Sequence, residues 1–364
     1  MNRRTFVVGA TTVGVHATAG SARAESPNLK TYDEAVELIW RPLDVMGGVR
    51  EIVRAGTLAA NSHNTQPWRF TVSEKRITIK PDVTRRCPAV DPDDHHLFAS
   101  LGCAVENMVQ AAALLGFKAN VEFGSPAEDH ITISIDPGQP SRNGLAGAIT
   151  KRQCTRAVYD GRPVGLEDLN TLRTAGALDG VECMLLTERN RMDAVLDYVV
   201  QGNTAQMRDE AFMAELISWI RFNDRMAIEH LDGLSGRSTG NPSLPGWIAR
   251  RLLPFMITEK SENDKYARHI RSSAGIAVFA APTNDQAGWV AAGRAYQRFA
   301  LQATALGIRQ AFINQPVEVA SLRPQISSYL GLGSRRPDLI VRFGRGPSLA
   351  PSLRRPIQAV IDQP

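Results

Sequence analysis

Apolar residues recur at two different spacings along the chain. Helical spacing, with an apolar position every three or four residues, runs through DEAVELIWRPLDVMGGVREIVRAGTLAA (33–60), LFASLGCAVENMVQAAALLGF (97–117) and WVAAGRAYQRFALQATALG (289–307). Short alternating or continuous apolar runs predict strands at WRFTVS (68–73) and RITIKPD (76–82), which the polar pair Glu74-Lys75 joins into a hairpin, and at KANVEF (118–123) and ITISID (131–136). A Pro/Gly/Ser-rich link, DPGQPSRNG (136–144), separates this group from a second one. There a helix is expected over LAGAITKRQCTRAVY (145–159) and another over VASLRPQISSYLG (319–331). Strands are expected at VECMLLT (181–187), GIAVFAA (275–281), IRQAFIN (308–314) and PDLIVRFG (337–344). From about 204 to 273 the pattern is mostly helical, broken by the loop chemistry of DGLSGRSTGNPSLPG (232–246).

Two of the helices can be laid on one another. Gly102, Ala104, Ala112, Leu115 and Gly116 match Gly293, Ala295, Ala303, Leu306 and Gly307 at a constant offset of 293 − 102 = 191 residues. Small residues suited to close helix packing and a shared terminal glycine point to a duplicated unit.

The first 24 residues stand apart. Arg3 and Arg4 precede a modestly apolar stretch that ends in Ala22-Arg23-Ala24, an A-x-A cleavage pattern, and they resemble a twin-arginine export signal. The expectation is export to the periplasm or beyond, with the twin-arginine translocase as a transient partner. Removing this segment, which carries three arginines and no acid, lowers the formal charge from +5 to 5 − 3 = +2. That is too little for a nucleic-acid partner. Beyond the signal no long apolar run predicts stable membrane insertion. Cys87, Cys103, Cys154 and Cys183 are widely spaced and name no disulfide.

Candidate chemistry lies in three polar clusters. SHNTQPW (62–68) offers paired amides that can donate and accept together, as the alternating edge of an isoalloxazine requires. KRQCTR (151–156) places Arg152 and Arg156 four residues apart, on one face of the expected helix, suited to a phosphate. VRFGRG (341–346) puts Arg342 at a strand end and Arg345 in a glycine-bounded loop. Other signals are discounted. GRSTG (236–240) lacks the expected strand-turn-helix setting of a nucleophile elbow. DPDDHH (91–96) reads as helix capping rather than metal binding, with the adjacent His95 and His96 expected to point apart. No Gly-rich dinucleotide fingerprint follows a strand.

Together AANSHNTQPWRF, SLGCAVENMVQAAALLGF, KRQCTRAVYDGRPV, AGRAYQRFALQATALGI, NQPVEV and the terminal VRFGRG and LRRPI resemble the FMN-binding nitroreductase family, most closely its Acg-like branch with two nitroreductase-like halves in one chain. The resemblance implies an α+β fold, with mixed or antiparallel sheets and flanking helices. It further implies a pseudo-dimer of residues 25–145 and 146–364, the latter carrying a helical insertion at about 204–273 that includes Trp219, Arg221 and Trp247 and could cover the site. It implies one FMN per chain, held by Ser62, His63, Asn64 and Gln66 from the first half and by Arg152, Cys154, Arg156, Gln315, Pro316, Glu318, Arg342 and Arg345 from the second. Hydride transfer would then run from a small-molecule donor to a quinone or nitroaromatic acceptor with no dedicated catalytic acid or base. A non-catalytic FMN-storage protein is the alternative. Cys154 stands where the family usually has a hydroxyl residue.

Overall fold

The computed structural model describes residues 29–124, 129–141, 144–241 and 257–362, so the first 24 residues, expected to direct export, and Trp247 lie outside the described residues. In the N-terminal part the strands are β1 (Trp68–Val72), β2 (Arg76–Pro81), β3 (Phe117–Phe123) and β4 (Ile131–Pro137). They form an antiparallel sheet in the order β1-β2-β4-β3. In the C-terminal part come β5 (Glu182–Leu186), the two-residue strands β6 (Ile220–Arg221) and β7 (Leu234–Ser235), β8 (Gly275–Ala280), β9 (Arg309–Phe312) and β10 (Leu339–Gly344). Here β5, β8, β10 and β9 make a second antiparallel sheet in that order. In each sheet one long helix separates the second strand from the third, and the strands pair in the order first, second, fourth, third, the second sheet carrying further elements between β5 and β8 and between β9 and β10. One topology is built twice, and the class is α+β.

The helices are α1 (Tyr32–Ile39), α2 (Gly48–Thr57), α3 (His95–Leu114), α4 (Gly144–Ala148), α5 (Leu166–Gly176), α6 (Arg189–Arg208), α7 (Glu210–Trp219), α8 (Asp224–His230), α9 (Gly236–Thr239), α10 (Glu259–Arg271), α11 (Gln286–Ala305), α12 (Gln315–Glu318) and α13 (Arg323–Leu330). The 191-residue offset holds at both ends of the central pair, 286 − 95 and 305 − 114. The chain then turns at Gly116 (φ +83°) and Gly307 (φ +69°), where only glycine is unstrained. α3 is long and apolar enough to cross a membrane, but it is a core helix with 83% of its apolar stretch buried.

α3 and α11 pack against each other reciprocally. A Cβ added to Gly102 would lie 2.1 Å from the Val290 carbonyl oxygen, and one added to Gly293 would lie 1.9 Å from that of Ala99. Val290 and Ala99 are again 191 apart (290 − 99), so the joint has the self-complementary form of a two-fold interface. Polar crosslinks accompany it. Gln297 Nε2 donates to Asn107 Oδ1 at 2.7 Å, and Cys103 Sγ donates to the Gly293 carbonyl at 3.2 Å. All four cysteines are free thiols.

Strand alternation assigns the two faces of the second sheet. Ala277, Phe279, Leu339, Val341 and Phe343 join the core shared with α3, α11 and the first sheet, whereas Ile276, Val278, Ala280 and Ile340 face a second core with α6 and α13. Arg342, paired with Ile276 and Ala311, belongs to this second row. The C-terminal tail returns to the first sheet, where Phe70 exchanges backbone bonds with Val360 and Asp362 at 2.8 and 2.7 Å.

Because the atoms facing Gly102 and Gly293 are backbone, neither helix can yield locally. Gly102→Ala and Gly293→Ala are each expected to destabilise the protein by at least about 1–3 kcal/mol in urea unfolding. Gly147→Ala, in open space on α4, should instead be neutral or stabilising by up to about 1 kcal/mol.

Candidate functional site

The loop Asn61 to Gln66 leaves α2 at the joint between the halves and is held in a costly conformation. His63, Asn64 and Gln66 have φ of +45°, +56° and +54°, a region that costs a non-glycine residue about 1–3 kcal/mol. The amides offset that strain. Asn61 Oδ1 accepts the Gln66 amide N–H at 2.8 Å. Asn64 Nδ2 donates to the carbonyls of Gly233 and Leu353 at 3.0 Å each, and its oxygen accepts from Arg354 Nη1 at 2.5 Å. Gln66 Nε2 donates to Leu231 O at 2.9 Å while its Oε1 accepts from Arg355 N at 2.8 Å. Asn64 and Gln66, expected to read a ligand edge, are therefore spent on fixing the loop to the 231–233 and 353–355 segments. Asn61, Ser62 and His63 are the loop residues that line the larger of two cavities here.

That cavity measures about 390 Å³, within the range of small-molecule and cofactor sites. Its floor comes from the loop and from α3 (His96, Ser100), and another side from the end of β9 and α12 (Asn314, Gln315, Glu318). Phe212, Leu216 and Phe222 supply an apolar wall, so the 204–273 segment does border the site. Next to this wall Asp232 pairs with Arg85 and Arg221, and both guanidiniums lie against Trp219 at 5.3 and 5.8 Å. A smaller cavity of about 60 Å³ adjoins, sharing Asn61, His63 and Arg156 and lined also by Asn64, Arg152, Cys154 and Arg354.

Cations gather here without carboxylates. Arg152 is 2% exposed; its Nη2 donates to the Leu58 carbonyl at 3.2 Å and its guanidinium also reaches the Tyr296 hydroxyl, while Nε and Nη1 are buried and meet no well-aligned acceptor. Arg354, 4% exposed, is lowered to about 9 by burial and by the charge of Arg152. Among the described residues neither they nor Arg156 and Arg342 have a carboxylate within ion-pair distance. On the larger cavity, burial lowers His269 to about 3, reinforced by Arg342, Lys265, Arg268 and Arg156. Burial likewise lowers His63 to about 4, with Arg156 and His96 adding to the effect. Buried guanidinium N–H groups without acceptors are donors of the kind an anion would satisfy.

The expected helix around Arg152 is not formed. α4 ends at Ala148, and the following chain is extended: Thr155 N donates to Gln310 O at 2.9 Å, Gln310 Nε2 donates to Gln153 O at 2.7 Å, and Cys154 bridges to Gln310. The open edge of β9 offers hydrogen bonds that outweigh helix continuation. Arg342 lines the large cavity, but its guanidinium donates to the carbonyls of His269, Thr155 and Ala157 and lies 4.0 Å from the Tyr159 ring. Arg345 is outside both cavities, held by the Leu306 carbonyl and Asp168 at 2.9 Å each. Pro316 is buried in α12 and lines neither, whereas Gln315 and Glu318 face the large cavity, with Gln315 Oε1 buried and unpaired. Glu318 accepts from Gln206 Nε2 at 2.6 Å, and burial raises its pKa.

Reasoning from sequence missed Arg354, Asn314, Ser100, Lys265 and His269. LRRPI carried Arg354 in plain view, but only the return of the tail places it beside Arg152. The GRSTG serine does follow a strand into a helix, β7 into α9, yet Ser238 is bonded to Ser235 and has no histidine partner among the described residues. His95 and His96 do not point apart: their ring centroids are 4.7 Å apart. Consecutive helical residues are separated by about 100° around the axis, not 180° as in a strand.

His63 has a lowered pKa in the folded chain and an ordinary one in the unfolded chain. Its contribution to stability is therefore present above about pH 6.5 and lost as pH falls toward 4. His63→Asn, which tolerates the positive φ, should make the fall in unfolding free energy over that window shallower by up to one proton, as measured by urea unfolding at a series of pH values.

No protein-family model matches the chain. It is 29% identical over 329 residues to the Mycobacterium tuberculosis protein named "Putative NAD(P)H nitroreductase Rv3131", covering 87% of this chain and 91% of that one. It is 23% identical over 323 residues to "Putative NAD(P)H nitroreductase acg" of the same species, covering 87% and 93%. Among solved structures, a Desulfitobacterium hafniense nitroreductase with bound FMN aligns with 61% of this chain and 99% of its own (15% identity, TM-score 0.39). The FMN-dependent nitroreductase NfnB from Mycobacterium smegmatis, in complex with NADPH, aligns with 56% and 87% (14% identity, TM-score 0.37). Along most of its length, then, the chain is a relative of mycobacterial proteins named as nitroreductases.

Proposed function

We propose that the chain is an FMN-dependent oxidoreductase of the nitroreductase type, a pseudo-dimer of halves 25–145 and 146–364 with a single flavin site at their joint. The observation that carries this reading is the buried, half-unpaired guanidinium of Arg152. It stands beside Arg156 and Arg354, with no carboxylate within ion-pair distance among the described residues, on the small cavity that adjoins the large one. The names of the mycobacterial relatives support the same reading.

The residues present fit FMN. Arg152, Arg156 and Arg354 would hold its phosphate, with Cys154 at the same small cavity. Ser62, His63, Asn314 and Gln315 would border the ring system. When bound, the flavin supplies two-electron transfer between a reduced donor and an oxidised acceptor. The chain supplies the rest. Its guanidiniums are committed before any ligand arrives, so little reorganisation accompanies binding. The strained loop keeps Ser62 and His63 in one geometry. Phe212, Leu216 and Phe222 exclude water and offer a flat apolar acceptor, a quinone or nitroaromatic, a surface to lie against. Glu318, with its raised pKa, is the cavity-wall group best placed to hold a proton.

The first 24 residues act, in this reading, as a twin-arginine export signal. The flavin would be loaded before export, and the exported chain would use a donor other than cytoplasmic NAD(P)H.

FMN titration followed by quenching of flavin fluorescence tests the site. Arg152→Ala and Arg156→Ala should each weaken FMN by about 10–100-fold, the range for charged hydrogen bonds, and should weaken riboflavin, which lacks the phosphate, far less. Arg345→Ala should bind FMN like the parent. Equal losses for FMN and riboflavin, or no loss at Arg152, would sink the assignment. Bound flavin that cannot be reduced and then reoxidised by a quinone would favour FMN storage over catalysis.

A further inference from the structure

We propose that Asp91, His95 and His96 bind one divalent transition-metal ion, of the Zn²⁺, Co²⁺ or Ni²⁺ class, in the wall of the large cavity. All three are buried, at 3%, 0% and 5% exposure, and each offers a donor atom within 4.8 Å of the other two. Two imidazoles and a carboxylate are a ligand set these ions accept.

The hydrogen bonding around the three residues is that of a supported ligand set. His95 Nε2 is 2.9 Å from Asp338 Oδ1, and Asp338 Oδ2 accepts the Ala281 N–H at 2.6 Å. The carboxylate thereby fixes the imidazole and its tautomer, as an outer carboxylate does for a metal-bound histidine. The other ring nitrogen, Nδ1, is buried and has no partner. Asp91 accepts one backbone N–H on each oxygen, from His96 at 3.0 Å and Leu97 at 2.9 Å, which leaves a lone pair on each.

Charge points the same way. Asp93 takes up the nearby cations, Arg336 at 2.6 Å and Arg323 at 3.6 Å. Among the described residues, Asp91 and Asp338 then have no arginine or lysine partner within ion-pair distance. Two enclosed carboxylates with only the more distant charge of Arg336 to offset them are costly, and a divalent ion would balance them. His96 lines the large cavity, which supplies both an entry path and room for a further ligand on the ion. His96 lies on the floor of the same cavity, but none of the three residues is among those assigned to hold the flavin.

The test is metal retention. Full-length mature protein is stripped with chelator, incubated with Co²⁺ or Zn²⁺, desalted and assayed by mass spectrometry for metal. The parent should keep about one ion per chain, the Co²⁺ form showing visible ligand-field absorption, and the ion should raise its unfolding temperature. His95→Gln and His96→Gln should lower retention at least tenfold, Asp338→Asn by about 10–100-fold, and Arg156→Ala should retain the ion. His96→Gln changes only a side chain that faces the cavity, so it decides the matter if His95→Gln does not fold. No retention by the parent, or retention unchanged in His96→Gln, would overturn the proposal.

Discussion

The approach of α3 and α11 backbone to backbone is the constraint on which the rest of the structure depends. Gly102 and Gly293 each face a carbonyl group across the joint, so the two helices sit closer than any side chain would permit. Every element of the site is hung from that pair. His96 and Ser100 are in the first turns of α3, Ala60 donates from the loop to Gln297 of α11 at 3.4 Å, and β9 follows α11 directly. A shift along the joint would move the loop of one half against the strand end of the other, and the cavity lies between them.

The two halves contribute unequally. The first supplies a strained, neutral loop, and the second supplies Arg152, Arg156, Lys265, His269 and Arg342. Burial and mutual repulsion keep the histidines of this region unprotonated while the guanidiniums remain charged. The cavity thus presents cations at one end and neutral amides and an apolar wall at the other. Such a distribution suits a ligand that is anionic at one end and flat and weakly polar at the other.

Much of this was legible in the sequence. The hairpin, both central helices, the 191-residue offset and the strands of both sheets follow from periodicity and glycine placement, which are local signals. What failed was non-local. KRQCTR has the composition of a helix but lies beside the unpaired edge of β9, and edge pairing is invisible in the segment itself. Asn64 and Gln66 have ligand-reading chemistry, yet their partners, Leu231, Gly233 and the 353–355 tail, come from segments about 165 to 290 residues away. Arg345 has a cation's chemistry but is claimed by Asp168. His95 and His96, adjacent in sequence and so expected to point apart, are only about 100° apart around the helix axis, and their rings meet at 4.7 Å.

The most direct measurement is the flavin content of the reconstituted chain in analytical ultracentrifugation, with flavin and protein absorbance recorded on the same boundary. A single-chain species carrying about one FMN is the predicted result, since one joint forms one cation-lined cavity. Two FMN per chain, or flavin found only on a species of two chains, would contradict the internal pseudo-dimer and its single site.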